Sequence, residues 1–168
     1  YSCDQGNAYG MANYGYFLSK GLSRLPKDQK QSLHYYKMAA DLGCPVAYSN
    51  LGVCYRKGEG IKKDIKLAIK YFKMAIDEGY PKSAFLLGNL LIKGDEETSF
   101  KPDIKEGYKY IKYAADHGIA IAMYILAYNM YYRNGIEMNA NLIKKYLLNG
   151  IEYGHPGCMR LYGQILMK

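Results

Sequence analysis

The chain has 168 residues, of which 49% are apolar and 23% charged, a balance that predicts a folded globular protein rather than a disordered one. No stretch approaches the ~20 continuous apolar residues of a membrane-spanning helix. The net charge of +8 favours acidic partners, but only four of the 23 basic residues are arginine, the side chain on which base reading depends most.

Glycines divide the chain at intervals of 37, 36, 39 and 36 residues, and the predicted helices follow them in chain order. These glycines are Gly6, Gly43, Gly79, Gly118 and Gly154. Nine residues after each comes a second small residue, inside a predicted first helix of the unit (helix A): Gly15, Gly52, Gly88, Ala127 and Gly163. Glycine just after a helix, followed by proline in the next first turn, is typical of helix ends and starts. Each glycine of the first set is therefore predicted to separate two helices.

A second helix of each unit (helix B) is predicted after a residue that suits the N-cap position. These cap residues are Asp28, Asp64, Asp103 and Asn139. In the second unit, Ala68, Tyr71, Phe72 and Ala75 follow Asp64 at the spacing of one helix face. Small residues in helix A let the two helices approach closely, and the Tyr71–Phe72 pair fills the space between units. One helix pair cannot bury its apolar face alone, so the pairs are predicted to stack as an α-solenoid.

The stretch Ala47–Gly79 reads AYSNLGVCYRKGEGIKKDIKLAIKYFKMAIDEG. It resembles the Sel1-like repeat, a relative of the tetratricopeptide repeat with the signature A-x3-LG-x2-Y-x2-G-x-G-V-x2-D-x2-KA-x2-WY-x-KAA-x2-G. The resemblance implies an all-α, right-handed superhelix of stacked antiparallel helix pairs. We expect one array over residues 1–168, with units at about 7–43, 44–79, 80–118 and 119–154 and a partial unit at 155–168. We also expect this array to be a fragment of a longer protein.

Three departures from the family pattern are local. Ala127 replaces the glycine in the middle of helix A, and Arg133 stands where a loop glycine is expected. The third unit carries a three-residue insertion near Asp95–Lys101, an acidic loop predicted to be solvated.

Residues that carry catalysis or bind metals form no recognisable constellation. His34, His117 and His155 are isolated from cysteine and carboxylate partners, so we expect structural roles for them. His117 comes just before a helix-ending glycine, where a cation suits the helix dipole. The Gly58-x-Gly60 loop lacks the lysine of a phosphate-binding loop and is interpreted as a turn. We therefore predict no catalytic residue, no metal site, no cofactor and no enzymatic activity.

The four cysteines, Cys3, Cys44, Cys54 and Cys158, show no paired spacing. Cys44 and Cys54 lie roughly 15 Å apart if they share one helix, too far for a disulfide. We expect the cysteines to be buried and reduced. No asparagine begins an N-x-Ser/Thr sequon, which favours a cytoplasmic location.

Two faces are candidates for binding. The first, the lysine ridge, lies on helix B opposite the aromatic pair, and we interpret it as a solvated convex face. It comprises Lys30, Lys37, Lys66, Lys70, Lys73, Lys105, Lys109, Lys112 and Lys145. The second is the concave face of helix A, whose positions are placed by analogy with tetratricopeptide repeats. They are Tyr9, Tyr16, Lys20, Ser49, Arg56, Lys57, Lys82, Phe85, Asn89, Lys93, Tyr124, Tyr128, Tyr131, Tyr132, Arg160 and Gln164.

We predict a scaffold or adaptor that binds a partner protein or acidic peptide on the concave face, because aromatic, arginine and amide side chains suit peptide recognition. One alternative is binding of nucleic acid or an acidic surface through the basic faces, which the scarcity of arginine disfavours. Another is the β-lactam binding or hydrolysis discussed for cysteine-rich relatives. Those relatives carry a cysteine pair in every repeat, which is absent here.

Overall fold

The computed structural model describes residues 2–22 and 24–167, and their side chains from residue 6 onward. Within these residues the chain forms nine helices. They are α1 (Ser2–Lys20), α2 (Gln29–Asp41), α3 (Pro45–Lys57), α4 (Ile65–Asp77), α5 (Pro81–Lys93), α6 (Ile104–Asp116), α7 (Ala120–Tyr131), α8 (Ala140–Glu152) and α9 (Pro156–Leu166). None of the nine is long and apolar enough to cross a membrane. The described residues contain no strand, only an isolated bridge between Asp95 and Phe100.

The predicted N-caps of the four helix B segments are confirmed. Each cap side chain accepts a hydrogen bond from the backbone N–H three residues later, which satisfies a donor left without a partner at the helix start. The bonds run from Gln31 to Asp28, Leu67 to Asp64 and Glu106 to Asp103 at 2.9 Å, and from Leu142 to Asn139 at 3.0 Å. These caps make α2, α4, α6 and α8 begin where the sequence indicates.

A second backbone bond fixes how the chain returns from helix A to helix B. In the first three repeats the N–H of the cap residue donates to a carbonyl in or just before the last turn of helix A. These bonds run from Asp28 to Leu18 at 3.0 Å, Asp64 to Tyr55 at 2.9 Å and Asp103 to Leu91 at 2.8 Å. The insertion in the third repeat does not disturb this bond, because the Asp95–Phe100 bridge closes the extra residues into a loop of their own.

Four of the five glycines that were predicted to separate helices do so. Gly43, Gly79, Gly118 and Gly154 have φ between +71° and +89°, a left-handed conformation that most residues avoid. The prediction is wrong for Gly6, which lies inside α1. Since α1 already begins at Ser2, no helix ends at Gly6.

The chain divides into two compact units, the first ending at Ser83 and the second beginning at Ala84. In the first unit α1 packs on α2, α3 on α4, and α2 on α3. Each pair closes where a helix A glycine meets an aromatic ring. A Cβ on Gly15 would lie 2.9 Å from the Tyr36 ring, and one on Gly52 would lie 2.6 Å from the Phe72 ring. Such distances are shorter than van der Waals contact, so only glycine allows these helices to approach so closely.

In the second unit aliphatic side chains take the place of the rings. A Cβ on Gly88 would lie 2.8 Å from the Ile111 side chain. In the next repeat Ala127 and Leu147 occupy the corresponding positions, and both are fully buried. A Cβ on Gly107 of α6 would lie 2.6 Å from Ile92, so a second glycine tightens the contact between α5 and α6. Within this unit α6 also packs on α7, α7 on α8, and α8 on α9.

The described cysteines are buried and reduced, as predicted. Cys44 precedes α3 as its N-cap residue, Cys54 lies near the end of the same helix, and Cys158 lies in α9. The side chain of Cys3 lies outside the described residues.

Candidate partner-binding faces

The predicted binding residues fall into two groups, one in each unit. The first unit holds Tyr9, Tyr16 and Lys20 on α1, Ser49, Arg56 and Lys57 on α3, and Lys82 on α5. The second holds Phe85, Asn89 and Lys93 on α5, Tyr124, Tyr128 and Tyr131 on α7, Tyr132 at its C-cap, and Arg160 and Gln164 on α9. All of them lie on or directly after a helix A.

In the first unit, aromatic and basic side chains of α1 share one surface. Tyr9 and Tyr16 are exposed, and the Lys20 ammonium lies 6.0 Å from the centre of the Tyr16 ring, at the outer limit of a cation–π contact. On α3, Lys57 forms an ion pair with Glu59 at 3.4 Å, while Arg56 is half-buried. Pairing reduces the charge that Lys57 presents to a partner.

Ser49 does not belong to the binding face. Its relative exposure is 3%, so a partner on the surface cannot reach its side chain. The residue in the same register of the first repeat is Ala12, which is fully buried. In this unit that register position packs against neighbouring helices, and the prediction that Ser49 faces a partner is wrong.

In the second unit, α7 carries a continuous row of aromatic rings. The ring centroids of Tyr124 and Tyr128 are 5.7 Å apart, and those of Tyr128 and Tyr132 are 4.6 Å apart. The row continues beyond Tyr124 to His155, the N-cap residue of α9, whose ring stacks on Tyr124 at 5.3 Å. We call Tyr124, Tyr128, Tyr132 and His155 the tyrosine strip. Tyr128 and Tyr132 are 38% and 46% exposed, so the strip presents aromatic surface to solvent.

The neighbouring helix α9 holds the strip together at its His155 end. A Cβ on Gly157 would lie 3.0 Å from both the Tyr124 ring and the His155 ring, so glycine leaves the space in which these rings stack. His155 Nδ1 is buried without a hydrogen-bond partner among the described residues. Sequence reasoning missed His155 as part of this surface. The available signal was its position directly after Gly154, where the next helix A begins beside the previous one.

Polar side chains accompany the strip on the other helix A segments of the second unit. Asn89 on α5 and Gln164 on α9 share the register of Tyr128, one residue after the small residue of each repeat. Lys93, Arg160 and Gln164 are exposed, and Phe85 and Asn89 are half-buried.

The histidine at the end of α6 has the structural role that was predicted. His117 is the C-cap residue, its ring stacks on Tyr113 at 4.0 Å, and its Nδ1 lies 2.8 Å from the Tyr113 carbonyl oxygen.

The lysine ridge is exposed, as predicted, and carboxylates neutralise part of it in the second unit. Lys109 pairs with Glu106 at 2.7 Å, and Lys112 pairs with Asp116 at 2.6 Å. The hydrogen bond from Lys109 to Glu106 raises the pKa of that ammonium group. In the second unit, the ridge is therefore an alternation of charges rather than a continuous cationic surface.

Groups suited to metal binding or nucleophilic chemistry are scarce in the part of the chain that the structure describes. No cluster of three histidine, cysteine or carboxylate side chains forms there. Burial raises the pKa of Cys54 to about 11, which keeps its thiol protonated near neutral pH.

Comparison with known proteins identifies the class. The Sel1 repeat family model matches residues 8–44, 45–80, 81–119 and 120–144. The chain therefore belongs to the Sel1 repeat family, and the predicted fold class, an all-α solenoid of helix pairs, is confirmed. Sel1 repeats generally mediate protein–protein interactions, and proteins built from them are typically non-enzymatic scaffolds. A search of the curated proteins found no match.

Two solved structures resemble the chain closely in fold. A Sel1 repeat protein from Oxalobacter formigenes superposes with a TM-score of 0.79 at 31% identity, over 94% of this chain and 63% of that one. The protective antigen c5321 of uropathogenic Escherichia coli, which has the same repeat fold, gives a TM-score of 0.76 at 21% identity, over 98% of this chain and 35% of that one. The chain thus spans about three fifths of the first protein and one third of the second.

Proposed function

We propose that the chain is a non-catalytic scaffold that binds a partner protein through its helix A faces, with the tyrosine strip as the main contact. The exposed rings of Tyr128 and Tyr132, tilted against each other with centroids 4.6 Å apart, carry this proposal. Aromatic side chains are enriched at interfaces, since they bury a large area and lose little conformational entropy when they are already packed. Tyr132 and Tyr128 hold each other in place before any partner arrives.

The partner is acidic where it approaches the chain. The net charge of +8 attracts acidic proteins over long distances, and Lys20, Lys82, Lys93 and Arg160 on the helix A segments are exposed. Such steering raises the association rate, whereas buried aromatic contacts control dissociation. The two kinds of residue therefore act on different rate constants.

A crosslinking experiment tests the location of the interface. A photoreactive phenylalanine analogue at Tyr128 should capture a partner in the source cell, and the same analogue at Lys109 on the lysine ridge should not. The partner that is captured at Tyr128 is then purified for kinetic measurements.

In those measurements Tyr128→Ala should raise the dissociation rate by a factor that corresponds to roughly 1–2 kcal/mol of binding free energy, the usual cost of truncating an aromatic side chain at an interface. The pair Lys57→Glu and Lys93→Glu should slow association and weaken its salt dependence. The matched control reverses Lys66, Lys70 and Lys109 on the ridge. Its lower net charge slows association, but the bound partner should dissociate at the wild-type rate. If the ridge variant loses the partner while Tyr128→Ala keeps it, the ridge is the binding face and this proposal is wrong.

A further inference from the structure

We infer that the tyrosine strip of the second unit binds a proline-rich segment of the partner in the polyproline II conformation. This inference rests on the proposed function and names the chemistry of the ligand at the strip.

The packing of the strip restricts how a ligand can bind. Neighbouring ring centroids lie 4.6 to 5.7 Å apart, so the rings of Tyr124, Tyr128 and Tyr132 contact one another. No slot remains between them for an inserted leucine or phenylalanine. A ligand must therefore lie across the rings and present flat apolar surface of its own.

Two common modes of peptide recognition do not fit this surface. Strand addition needs the free edge of a sheet, and the described residues form no strand. Binding of an amphipathic helix needs a groove that receives side chains at i, i+3 and i+4, which the closed row of rings does not offer. A third mode does fit it: a polyproline II segment, whose prolyl rings lie on aromatic side chains.

The hydrogen-bonding groups of the strip agree with this mode. A polyproline II segment leaves all its carbonyl groups without internal partners, and proline has no N–H to satisfy. The strip offers donors for those carbonyls, because the hydroxyl groups of Tyr124, Tyr128 and Tyr132 bond to no other described residue. Each hydroxyl can therefore donate to a carbonyl oxygen of a ligand that lies across the rings.

The dimensions agree as well. Tyr124 and Tyr132 are eight residues apart on one helix, or about 12 Å at 1.5 Å per residue. A polyproline II segment advances ~3.1 Å per residue, so about four residues cover the three tyrosines. Reaching His155, whose ring is a further 5.3 Å from Tyr124, takes one or two residues more.

A decaproline peptide is the direct probe, titrated into the whole chain by isothermal calorimetry and followed by amide NMR shifts on α7. The wild type should bind it, and Tyr128→Ala should weaken binding at least tenfold. Gly157→Ala should also weaken binding, since the added Cβ displaces the Tyr124 and His155 rings. Tyr153→Ala is the matched control, because Tyr153 is a 62% exposed tyrosine outside the strip, and it should bind as the wild type does. Circular dichroism melts show that each variant is folded.

Several outcomes would overturn the inference: no binding of decaproline at millimolar concentration, equal binding by Tyr128→Ala, or shifts that fall outside α7 and the start of α9. Tyr128-dependent binding of an acidic proline-free peptide, or of a cello-oligosaccharide, in place of decaproline would also refute it. If decaproline fails while the captured partner still needs Tyr128, only this inference is wrong. If decaproline binds the strip while the partner ignores Tyr128→Ala, the proposed function is wrong instead.

Discussion

Arg133 has a left-handed backbone, with φ +56°, at a position where the other repeats have glycine. The corresponding residues are Gly21, Gly58 and Gly94, with φ of +66°, +73° and +67°. A side chain with a Cβ is disfavoured by ~1–2 kcal/mol in this conformation. The Arg133 guanidinium makes a long contact with the sulfur of Met138, at 3.8 Å. The turn after α7 is thus strained at one residue.

Replacing Arg133 by glycine should therefore stabilise the chain. We expect the free energy of unfolding to rise by about 0.5–1 kcal/mol, because the relief of strain exceeds the added entropy of the unfolded glycine. Urea unfolding measures the change. Arg160→Gly is the matched control, since Arg160 lies inside α9, and it should lose about 1 kcal/mol. A loss of stability in Arg133→Gly would contradict the assignment of strain.

Cys54 should be unreactive in the folded chain. Its side chain is buried, and burial raises the pKa of the thiol to about 11, so almost none is thiolate near neutral pH. We expect alkylation of Cys54 at pH 8, followed by site-resolved mass spectrometry, to be far slower in the native chain than in urea. The native rate should rise as pH approaches 11. Equal rates in both states would show that the buried cluster around Cys54, which includes Tyr36 of α2, opens readily.

At the scale of helix pairs, the contact between Gly52 and Phe72 is the clearest constraint. Gly52→Ala should cost about 1–3 kcal/mol of stability, because the added Cβ overlaps a fully buried ring. Phe72→Leu should restore part of this loss, since the repeat that contains Ala127 has Leu147 at the corresponding position. A double-mutant cycle should give a favourable coupling of roughly 1 kcal/mol or more. Additive effects would mean that the two residues do not share this contact.

A hydrogen bond links α6 and α8 and makes stability depend on pH. The Tyr146 hydroxyl donates to Asp116 Oδ1 at 2.8 Å, and Lys112 donates to the other oxygen. Partial burial raises the pKa of Asp116, but the bonds from Lys112 and Tyr146 outweigh it and hold this pKa below its usual value. The carboxylate therefore contributes stability above its unfolded pKa of about 4, and this contribution is lost as pH falls through the lower folded pKa.

Tyr146→Phe should remove about 1–2 kcal/mol of stability at pH 7, since the bond involves a charged acceptor that is partly exposed. The variant should also lose less stability than the wild type when the pH is lowered from 5 to 2. Urea unfolding at the two pH values checks both statements. A variant with an unchanged difference between pH 5 and pH 2 would show that this bond does not hold the pKa of Asp116.

For the whole chain, stability should depend gradually on the number of repeats. In the first unit α1 contacts α2 and α3, so deleting residues 1–43 removes one helix pair and the contacts it makes with the next. We expect a shortened chain that folds with a lower thermal midpoint, because each repeat interacts mainly with its neighbours. Complete loss of the cooperative transition would indicate one indivisible core.

Much of this organisation could be predicted from local chemistry. The helix B starts depend on caps such as Asp64, which act within four residues, and the helix ends depend on glycines that need a left-handed φ. Gly6 has the same spacing but lies inside α1, so spacing alone was misleading there.

The candidate site was less predictable, because neighbouring helices decide which side chains of helix A are buried and which stay exposed. Ser49 and Tyr124 share a register position, yet Ser49 is buried while Tyr124 joins the tyrosine strip. His155 enters that strip only through the packing of α9 beside α7. Analogy with other repeats predicts the position of a residue on its helix, but it does not predict which neighbouring side chains bury that residue.

In each helix pair, the size of the central helix A residue matches the size of the helix B residue that faces it. This match helps a chain of similar repeats to avoid pairing helices from different repeats. Helix A segments differ in their central residue, glycine in α3 and alanine in α7, and the facing residues are Phe72 and Leu147. In the geometry of the α3–α4 pair α7 could not dock on α4, because a Cβ at the central position lies 2.6 Å from the Phe72 ring, closer than van der Waals contact, and Ala127 has that Cβ. During folding, this steric mismatch discriminates against exchange of partners between repeats whose apolar patterns are otherwise interchangeable.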